Sequence, residues 1–270
     1  MIIDCHCHAG SGDRMSGPWD TRADLTHYLR RCDDAGIGHS VVFAALATDY
    51  RRGNDEVAAL VRAYPGRLTG FVFLDGRMTF EVVRGELEKH VVGNGFAGIK
   101  CHRHDAPLSR TICEHAQRMS LPVLYDVGGD VASIELFATE YPGVNFIVPH
   151  LGSFADDWKA QLAIIDHLQR HPNVYTDTAG CRRFDLLLQA VRRAGAHKVL
   201  FGSDGPWLHP GVELEKIRQM RLSERAFSLV AGGNLLRLLG ARATNLLRAT
   251  VTTRWRGSSA GLFSAEWLVQ

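Results

Sequence analysis

The stretch from Ile2 to His8, IIDCHCH, gives the first indication of both the fold and the site. Apolar residues that run into alternating polar ones are typical of a buried strand with polar side chains at its end. Because successive side chains of a strand point to opposite faces, Asp4, His6 and His8 are predicted to share one face and the two cysteines the other. Two imidazoles at positions i and i+2 can present their nitrogens to one cation.

Seven further apolar runs alternate with amphipathic segments along the chain. The eight predicted strands are Ile2–His8, Ser40–Ala45, Leu68–Asp75, Ala97–His102, Pro122–Asp126, Asn145–His150, Asn173–Thr178 and Lys198–Asp204. Strands that alternate with helices predict parallel β-α units, and eight such units closed on themselves form a barrel. We therefore predict an α/β fold, a single-domain (β/α)₈ TIM barrel. An open doubly wound sheet is the alternative, but HAGSG after the first strand is not the GxGxxG fingerprint of its dinucleotide-binding members.

Three helices are predicted from helical spacing of apolar residues. The first begins with a capping box, Thr21 followed by Asp24, and is stopped by Gly36. The others cover about 155–169 and 223–239. Their apolar faces are interpreted as packing surfaces against the sheet.

Length and charge divide the chain into two parts. It has 270 residues, 46% of them hydrophobic, and a net charge of +2, and barrels of about 250 residues are common as single domains. Residues 241–270 hold four arginines and one glutamate, a net charge of +3, which leaves −1 for residues 1–240. We predict a barrel domain over residues 1–240 and a basic C-terminal extension over residues 241–270. The nearly neutral barrel offers no track of positive charge for nucleic acid.

The remaining composition indicates a cytoplasmic protein. No apolar run approaches the roughly 18 residues of a membrane span, and the N-terminus does not resemble a secretion signal. The six cysteines are scattered and contain no Cys-x-x-Cys pair, which favours reduced thiols over disulfides or a zinc ribbon. We therefore predict no membrane partner.

Polar residues close five of the predicted strands, at the end of a barrel where catalysis takes place. They are His6 and His8, Lys100 and His102, Asp126, His150, and Asp204. Lys100 lies in an apolar strand and Asp204 directly follows one, so each needs a partner or a function. Asp75 and Asp177 also lie near strand ends and are interpreted as structural or turn residues. Taken singly, these residues also fit polar core or capping positions.

At these residues the chain resembles the amidohydrolase superfamily, and within it the amidohydrolase-related group of metal-dependent hydrolases and decarboxylases. The similar motifs are Asp-x-His-x-His at Asp4–His8, Gly-Ile-Lys at Gly98–Lys100, His-x-Gly at His150–Gly152, Gly-Ser-Asp at Gly202–Asp204, and the closing helix at Gly233–Leu239. The resemblance covers roughly residues 1–240. It implies His6, His8 and Asp204 as metal ligands and His150 as an active-site base, electrophile or second-metal ligand.

One position departs from that pattern, because the fifth strand ends in Asp126 where the family usually has a ligand histidine. Asp126 is predicted as a fourth ligand, in a site that takes Zn²⁺ first and tolerates Mn²⁺ or Fe²⁺. Alternatively, Asp126 orients a ligand while His102 or His150 completes the metal sphere. A further alternative is a carboxylated Lys100 that bridges two metals.

The predicted function is hydrolysis of a lactone, amide or ester bond in a small cyclic or carboxylated substrate by a metal-activated water. Asp204 would transfer the proton of the water, and His150 and Lys100 would stabilise the developing oxyanion. The predicted substrate-binding residues are His102, Tyr125, Arg183 and Trp207. One divalent metal and no organic cofactor are expected.

Three other readings stay open. The same ligands suit a non-oxidative decarboxylase of a small or aromatic acid, in which His150 protonates the carbon that loses CO₂. A metal-dependent nuclease fits less well, because such barrels generally carry a glutamate at the position of Lys100. A catalytically inactive metal-binding scaffold is the alternative of another class, motivated by Asp126. For the C-terminal extension three alternatives are open: it folds back on the barrel, it mediates oligomer contacts, as in a homodimer, or it stays mobile.

Overall fold

The computed structural model describes residues 1–14, 22–155 and 157–243 of the chain. Nine strands lie within these residues. They are β1 (Ile2–Ser11), β2 (Arg22–Ala23), β3 (Ile37–Ala44), β4 (Leu68–Phe73), β5 (Gly98–His102), β6 (Val123–Asp126), β7 (Phe146–Val148), β8 (Val174–Asp177) and β9 (Val199–Leu200). The strand β2 was not predicted, because two residues carry no periodicity.

Helices alternate with the strands and cover the outside of the sheet. They are α1 (Leu25–Ala35), α2 (Tyr50–Ala63), α3 (Phe80–Leu87), α4 (Arg110–Met119), α5 (Ile134–Glu140), α6 (Trp158–Arg170), α7 (Phe184–Ala194), α8 (Pro210–Gln219), α9 (Glu224–Ser228) and α10 (Asn234–Leu239). Short 3₁₀ turns lie at Val131–Ser133, Pro149–Gly152, Ala196–Lys198 and Gly240–Arg242, and π-helical turns at Glu88–Gly93 and Leu229–Gly233.

The sheet closes on itself. Its order is β2-β1-β3-β4-β5-β6-β7-β8-β9, parallel throughout except for the antiparallel pair of β1 and β2. Three hydrogen bonds join its two ends: Cys5 N donates to Phe201 O at 2.9 Å, Asp204 N to His6 O at 2.8 Å, and His8 N to Gly205 O at 2.7 Å. The predicted TIM barrel is confirmed.

A bulge in β1 changes the predicted alternation of its side chains. The register of β1 against β3 shifts between Asp4 and Cys7, so that one extra residue is inserted there. The Asp4 carboxylate accepts a hydrogen bond from the Tyr28 hydroxyl of α1 at 2.7 Å, in the layer between sheet and helix. The prediction that Asp4 shares the face of His6 and His8 is therefore wrong.

The predicted helices occur with altered ends. In α1 the Asp24 carboxylate caps Thr26 N at 2.8 Å, and Gly36 ends the helix with φ 77. Thr21 of the predicted capping box lies outside the described residues. The helix predicted near residues 155–169 is α6, and the one predicted near residues 223–239 is divided by Leu229–Gly233 into α9 and α10, since two consecutive glycines favour helix poorly.

The barrel ends close to the predicted domain boundary. After α10 the chain turns at Gly240, and the Arg242 guanidinium donates to the Met119 and Ser120 carbonyls at 2.8 and 3.2 Å. The predicted extension lies outside the described residues from residue 244 onward, so the boundary stays a prediction. None of the described helices has the length and apolar character that a bilayer crossing requires.

His39, a buried histidine near the amino end of β3, makes the stability of the fold depend on pH. His39 Nδ1 donates to Gly66 O at 3.1 Å, and Nε2 lies 2.9 Å from the Thr69 hydroxyl. Burial lowers the pKa of His39 to about 4, so between about pH 6.5 and 4 the unfolded chain takes up a proton that the folded chain does not. Stability is therefore lost as pH falls through this window, by up to about 3 kcal/mol for this residue.

Replacement His39→Gln should remove that contribution. We expect the variant's free energy of unfolding, measured by urea denaturation from pH 4 to pH 7.5, to vary less with pH than that of the natural chain. His27→Gln, at an exposed position, is the matched control. Equal pH dependence of the His39→Gln variant and the natural chain would contradict the assignment.

Candidate metal centre and active site

Three potential metal ligands converge at the carboxyl end of the barrel. His6 and His8 come from β1, and Asp204 from the loop after β9. One ligand atom from each lies within 4.8 Å of the other two. Asp204 Oδ1 is 3.3 Å from His6 Nε2 and 3.5 Å from His8 Nε2.

Both imidazoles are held so that Nε2 faces this centre. His6 Nδ1 lies 2.8 Å from the buried Asp177 carboxylate, and His8 Nδ1 lies 3.0 Å from Ala44 O. Because both partners accept hydrogen bonds, each Nδ1 carries the proton and each Nε2 the lone pair. Burial lowers the pKa of His6 to about 4 against the opposing charge of Asp177, so the ring is neutral near pH 7.

The residues therefore fit a divalent cation. His6 Nε2 is buried and forms no hydrogen bond to any described residue, and two lone pairs and one carboxylate point at the same place. Two imidazole nitrogens and a carboxylate oxygen are donors that Zn²⁺, Mn²⁺ and Fe²⁺ accept. His6, His8 and Asp204 are the residues that would hold it.

Asp204 has a strained backbone conformation, and hydrogen bonds to Asp4 and His6 hold residues 203 and 204 in place. Asp204 has φ 58, a conformation that is uncommon outside glycine and costs about 1–3 kcal/mol. The Asp4 carboxylate fixes the preceding residue by accepting from Ser203 N at 2.9 Å, and Asp204 N itself bonds to His6 O. Asp4 thus supports the loop that presents Asp204.

A second cluster stands beside the first. The Asp126 carboxylate lies 3.2 Å from His102 Nε2 and 3.4 Å from His150 Nε2. His150 also has a positive φ of 58. Its backbone N donates to Asp177 Oδ1 at 2.9 Å, and its Nδ1 lies 2.8 Å from Ala179 O. Asp177 therefore links the two clusters.

Electrostatics favour a protonated imidazole in the second cluster and an ionised carboxylate in the first. Burial lowers the pKa of His150, but the hydrogen bond and charge of Asp126 outweigh it and raise that pKa to about 9. Burial raises the pKa of Asp204, but the imidazoles of His8, His6 and His150 around it hold that pKa below its usual range. A protonated His150 therefore lies beside the three potential metal ligands, His6, His8 and Asp204.

Lys100 is a third element of the interior. It is fully buried, its Nζ has no hydrogen-bond partner among the described residues, and it lies 4.9 Å from the centre of the Phe43 ring. Burial lowers the pKa of the Lys100 ammonium, and the charges of Asp126, Asp204 and Asp177 oppose this. Lys100 Nζ is therefore a buried amine without a hydrogen-bond partner among the described residues.

Replacement Lys100→Met should separate function from stability. The variant loses a buried amine without a hydrogen bond and keeps its length, so we expect the free energy of unfolding to rise by about 1–3 kcal/mol. The rate should fall about 100-fold, as for loss of a group that stabilises developing charge. Thermal denaturation and turnover assays on one preparation check both. A variant that is less stable and fully active would contradict this role.

The predicted substrate-binding residues are only partly brought together. Trp207 lies against His8, with ring centres 4.8 Å apart, and His102 belongs to the Asp126 cluster. Arg183 immediately precedes α7 and pairs with Asp185 at 2.6 and 2.8 Å.

The structure does not bring Tyr125 to the site, which corrects its interpretation as a pocket residue. Because Asp126 faces the barrel interior, its neighbour faces the helices. There the Tyr125 ring contacts Phe137 of α5, and its hydroxyl accepts from Leu108 N at 3.3 Å.

Asp177 is more closely connected to the site than its sequence pattern predicts. The pattern predicts a structural or turn residue, whereas Asp177 is fully buried, lies 2.8 Å from His6 Nδ1 and accepts from His150 N at 2.9 Å. Asp177 carries the same sequence signal as Asp204. Each is a carboxylate at the end of an apolar strand, which for Asp177 is β8.

The architecture and the site define a TIM barrel with a metal-competent centre at its catalytic end. The amidohydrolase profile matches residues 3–241, nearly the whole chain. The protein therefore belongs to the amidohydrolase family. A search of curated proteins found no match.

Solved structures show the same fold. An uncharacterised TIM-barrel protein from Bordetella bronchiseptica is similar with a TM-score of 0.72 and 17% identity, over 90% of this chain and 99% of that one. A dihydroxybenzoic acid decarboxylase from Polaromonas, with bound manganese and the inhibitor 2-nitroresorcinol, gives 0.68 and 18%, over 88% and 96%. A structure described as a probable 2-pyrone-4,6-dicarboxylic acid hydrolase from Acinetobacter baumannii gives 0.67 and 16%, over 88% and 99%. At these identities the similarity concerns the fold.

Proposed function

We propose that this protein is a metal-dependent hydrolase of a small carboxylated or cyclic substrate with a lactone, amide or ester bond. The convergence of His6, His8 and Asp204 carries the proposal, because their three ligand atoms lie within 4.8 Å and both imidazoles are held with Nε2 free. When bound there, a divalent cation would polarise the scissile carbonyl and lower the pKa of a water. Zn²⁺ is the first expectation, with Mn²⁺ or Fe²⁺ as alternatives.

The chain's own residues supply the proton transfer and the charge. Asp204 touches both histidines and is ionised, so it would accept a proton from the attacking water and pass it to the leaving group. His150, protonated near neutral pH, and Lys100 would stabilise negative charge that develops on the carbonyl oxygen. Asp177 holds His6 in the tautomer with the proton on Nδ1, which leaves Nε2 free to bind the cation.

Asp126 is proposed to orient two imidazoles rather than to serve as a fourth ligand. Its carboxylate is engaged by His102 and His150 at 3.2 and 3.4 Å. It also accepts from Gly128 N at 2.8 Å. Asp126 is also not in the group that His6, His8 and Asp204 form within 4.8 Å.

We infer the class of substrate from the basic groups near the metal centre. The His150 ring lies 4.8 Å from that of His6, and Lys100 Nζ lies 4.9 Å from the Phe43 ring, which packs against His6 and His8. These two basic groups favour an anionic substrate, and Trp207 beside His8 offers an apolar wall. The names of the similar structures, a dihydroxybenzoic acid decarboxylase and a 2-pyrone-4,6-dicarboxylic acid hydrolase, are consistent with a carboxylated ring. A 2-pyrone is itself a cyclic ester.

One observation favours decarboxylation as a second candidate. His150 is protonated near neutral pH, with its pKa raised to about 9 by Asp126 and two further carboxylates against the effect of burial, so it could protonate the carbon that loses CO₂. The cation and the same residues would then hold the acid. Hydrolysis and decarboxylation differ in which atom of the substrate lies next to His150.

Product analysis distinguishes these candidates. Purified protein, loaded in turn with Zn²⁺ and Mn²⁺, is incubated with lactones and aromatic acids in ¹⁸O-labelled water. Label in a new carboxylate supports hydrolysis, whereas CO₂ release without label in the product refutes it and supports decarboxylation. Bound metal without turnover of any substrate would favour the inactive scaffold. A cytoplasmic location and a homodimer stay predictions.

A further inference from the structure

A second group of potential metal ligands lies outside the barrel, between α5 and α6. His167 is in the last turn of α6, His171 directly follows that helix, and Glu135 is in the first turn of α5. One ligand atom from each lies within 4.8 Å of the others. The centre described above lies inside the barrel, so the two groups are separate.

The two histidines are arranged on one face. They are four residues apart, and His171 N donates to His167 O at 2.9 Å, which continues the helical turn. Their rings are stacked, with centres 5.9 Å apart and an interplanar angle of 15°. Their side chains are only 10% and 14% exposed, so both rings are already ordered.

Glu135 completes the group from the neighbouring helix. Its Oε2 is 3.2 Å from His167 Nδ1, and its Oε1 is 3.3 Å from His171 Nε2. His171 Nε2 is buried and forms no hydrogen bond to any described residue, whereas the Glu135 side chain is 44% exposed. The two histidines are therefore already in position, and an ion can reach the group from the exposed Glu135 carboxylate.

The Arg170 guanidinium contacts two of the three members of this group, Glu135 and His167. Arg170 donates to Glu135 Oε1 and Oε2 at 3.1 and 2.8 Å and lies 3.3 Å from His167 Nδ1. Its side chain is 54% exposed, and exposed ion pairs stabilise little. Arg170 can therefore be displaced by a cation that binds all three ligands.

We propose that Glu135, His167 and His171 form a second divalent-metal site, of the zinc class, on the outer surface of the barrel. Two imidazole nitrogens and one carboxylate oxygen are the donors of many zinc sites, and the exposed side leaves room for water as a further ligand. An ion there would join the end of α6 to the start of α5. Arg170 acts as a competitor of the ion, which distinguishes this site from one built only of ligands.

The test measures Zn²⁺ binding by untagged, full-length protein in competition with a chromophoric chelator. The His6→Ala/His8→Ala chain, which lacks the inner centre, should still bind one Zn²⁺, and this result does not depend on the proposed function. Adding His167→Ala and His171→Ala should weaken that binding at least about 100-fold. In the otherwise natural chain, the same two replacements should reduce the bound Zn²⁺ from two to one.

Arg170→Gln keeps all three ligands and serves as the second variant. Because the competitor is removed, Zn²⁺ should bind about two- to fivefold tighter. The matched control is Arg193→Gln, which breaks the exposed pair of Arg193 with Asp166 at 2.6 Å on the adjoining helices and should leave Zn²⁺ affinity unchanged. Unfolding curves without metal check that each variant folds.

Two results would overturn the proposal. One is Zn²⁺ binding by the His167→Ala/His171→Ala variant with the stoichiometry and affinity of its parent. The other, decisive even if that variant does not fold, is an unchanged Zn²⁺ affinity in Arg170→Gln.

Discussion

Replacement Asp204→Asn should reduce the turnover rate by about 10³-fold or more, the largest effect we expect from one substitution. An amide neither binds a divalent cation as an anion does nor takes the proton of a water, so it loses both proposed roles of Asp204. Metal content of the purified variant should fall with the rate. Steady-state kinetics and metal analysis on one preparation test this.

The fold of this variant should survive. Asparagine tolerates the positive φ of residue 204, and its amide can donate to the buried His6 Nε2, which has no hydrogen bond to any described residue. The metal-free variant should therefore unfold at the same temperature as the natural chain or higher. Asp166→Asn, an exposed carboxylate on α6, is the control. A rate within tenfold of the natural chain would remove Asp204 from the chemistry.

The second large effect is expected from Asp177→Asn, which alters a residue that does not touch the proposed cation. The new amide can still accept from His150 N and Ala179 N, which now donate to Asp177 Oδ1 at 2.9 and 3.1 Å. Its NH₂ group would face His6 Nδ1 and favour the tautomer with the proton on Nε2. Metal affinity should fall about 10- to 100-fold, and activity at least as much.

Asp126→Asn is the matched comparison, because it also changes a buried carboxylate to an amide beside imidazoles. It should lower the rate while metal affinity stays within about threefold, since Asp126 is proposed to orient His102 and His150. Isothermal titration with Zn²⁺ on both variants checks the contrast. Equal loss of metal affinity in the two variants would instead place Asp126 among the ligands.

The fold could be predicted from the sequence because its signals are local. Each predicted strand is an apolar run with β-branched residues, and each corresponds to one of β1 and β3–β9. Helix ends were predicted where a side chain or glycine marks them, as Gly36 does. The bulge in β1 has no such signal, because it depends on the register with β3, and for this reason Asp4 was assigned to the wrong face.

The candidate site was predictable as a set of residues but not as an arrangement. His6, His8 and Asp204 were identified because all three are polar and close strands. Whether Asp126 faces the cation or His102 depends on side-chain distances that strand periodicity does not contain. Asp177 carries the same local signal as Asp204, and only the 2.8 Å contact with His6 Nδ1 distinguishes its role.

The central claim is that His6, His8 and Asp204 hold one catalytic cation. It is tested most directly by anomalous diffraction at the zinc absorption edge from crystals of the Zn²⁺-loaded protein. We predict a peak inside the barrel about 2.0–2.2 Å from His6 Nε2, His8 Nε2 and an Asp204 carboxylate oxygen. A peak coordinated by Asp126 and His102 instead, or no peak inside the barrel, would contradict the claim.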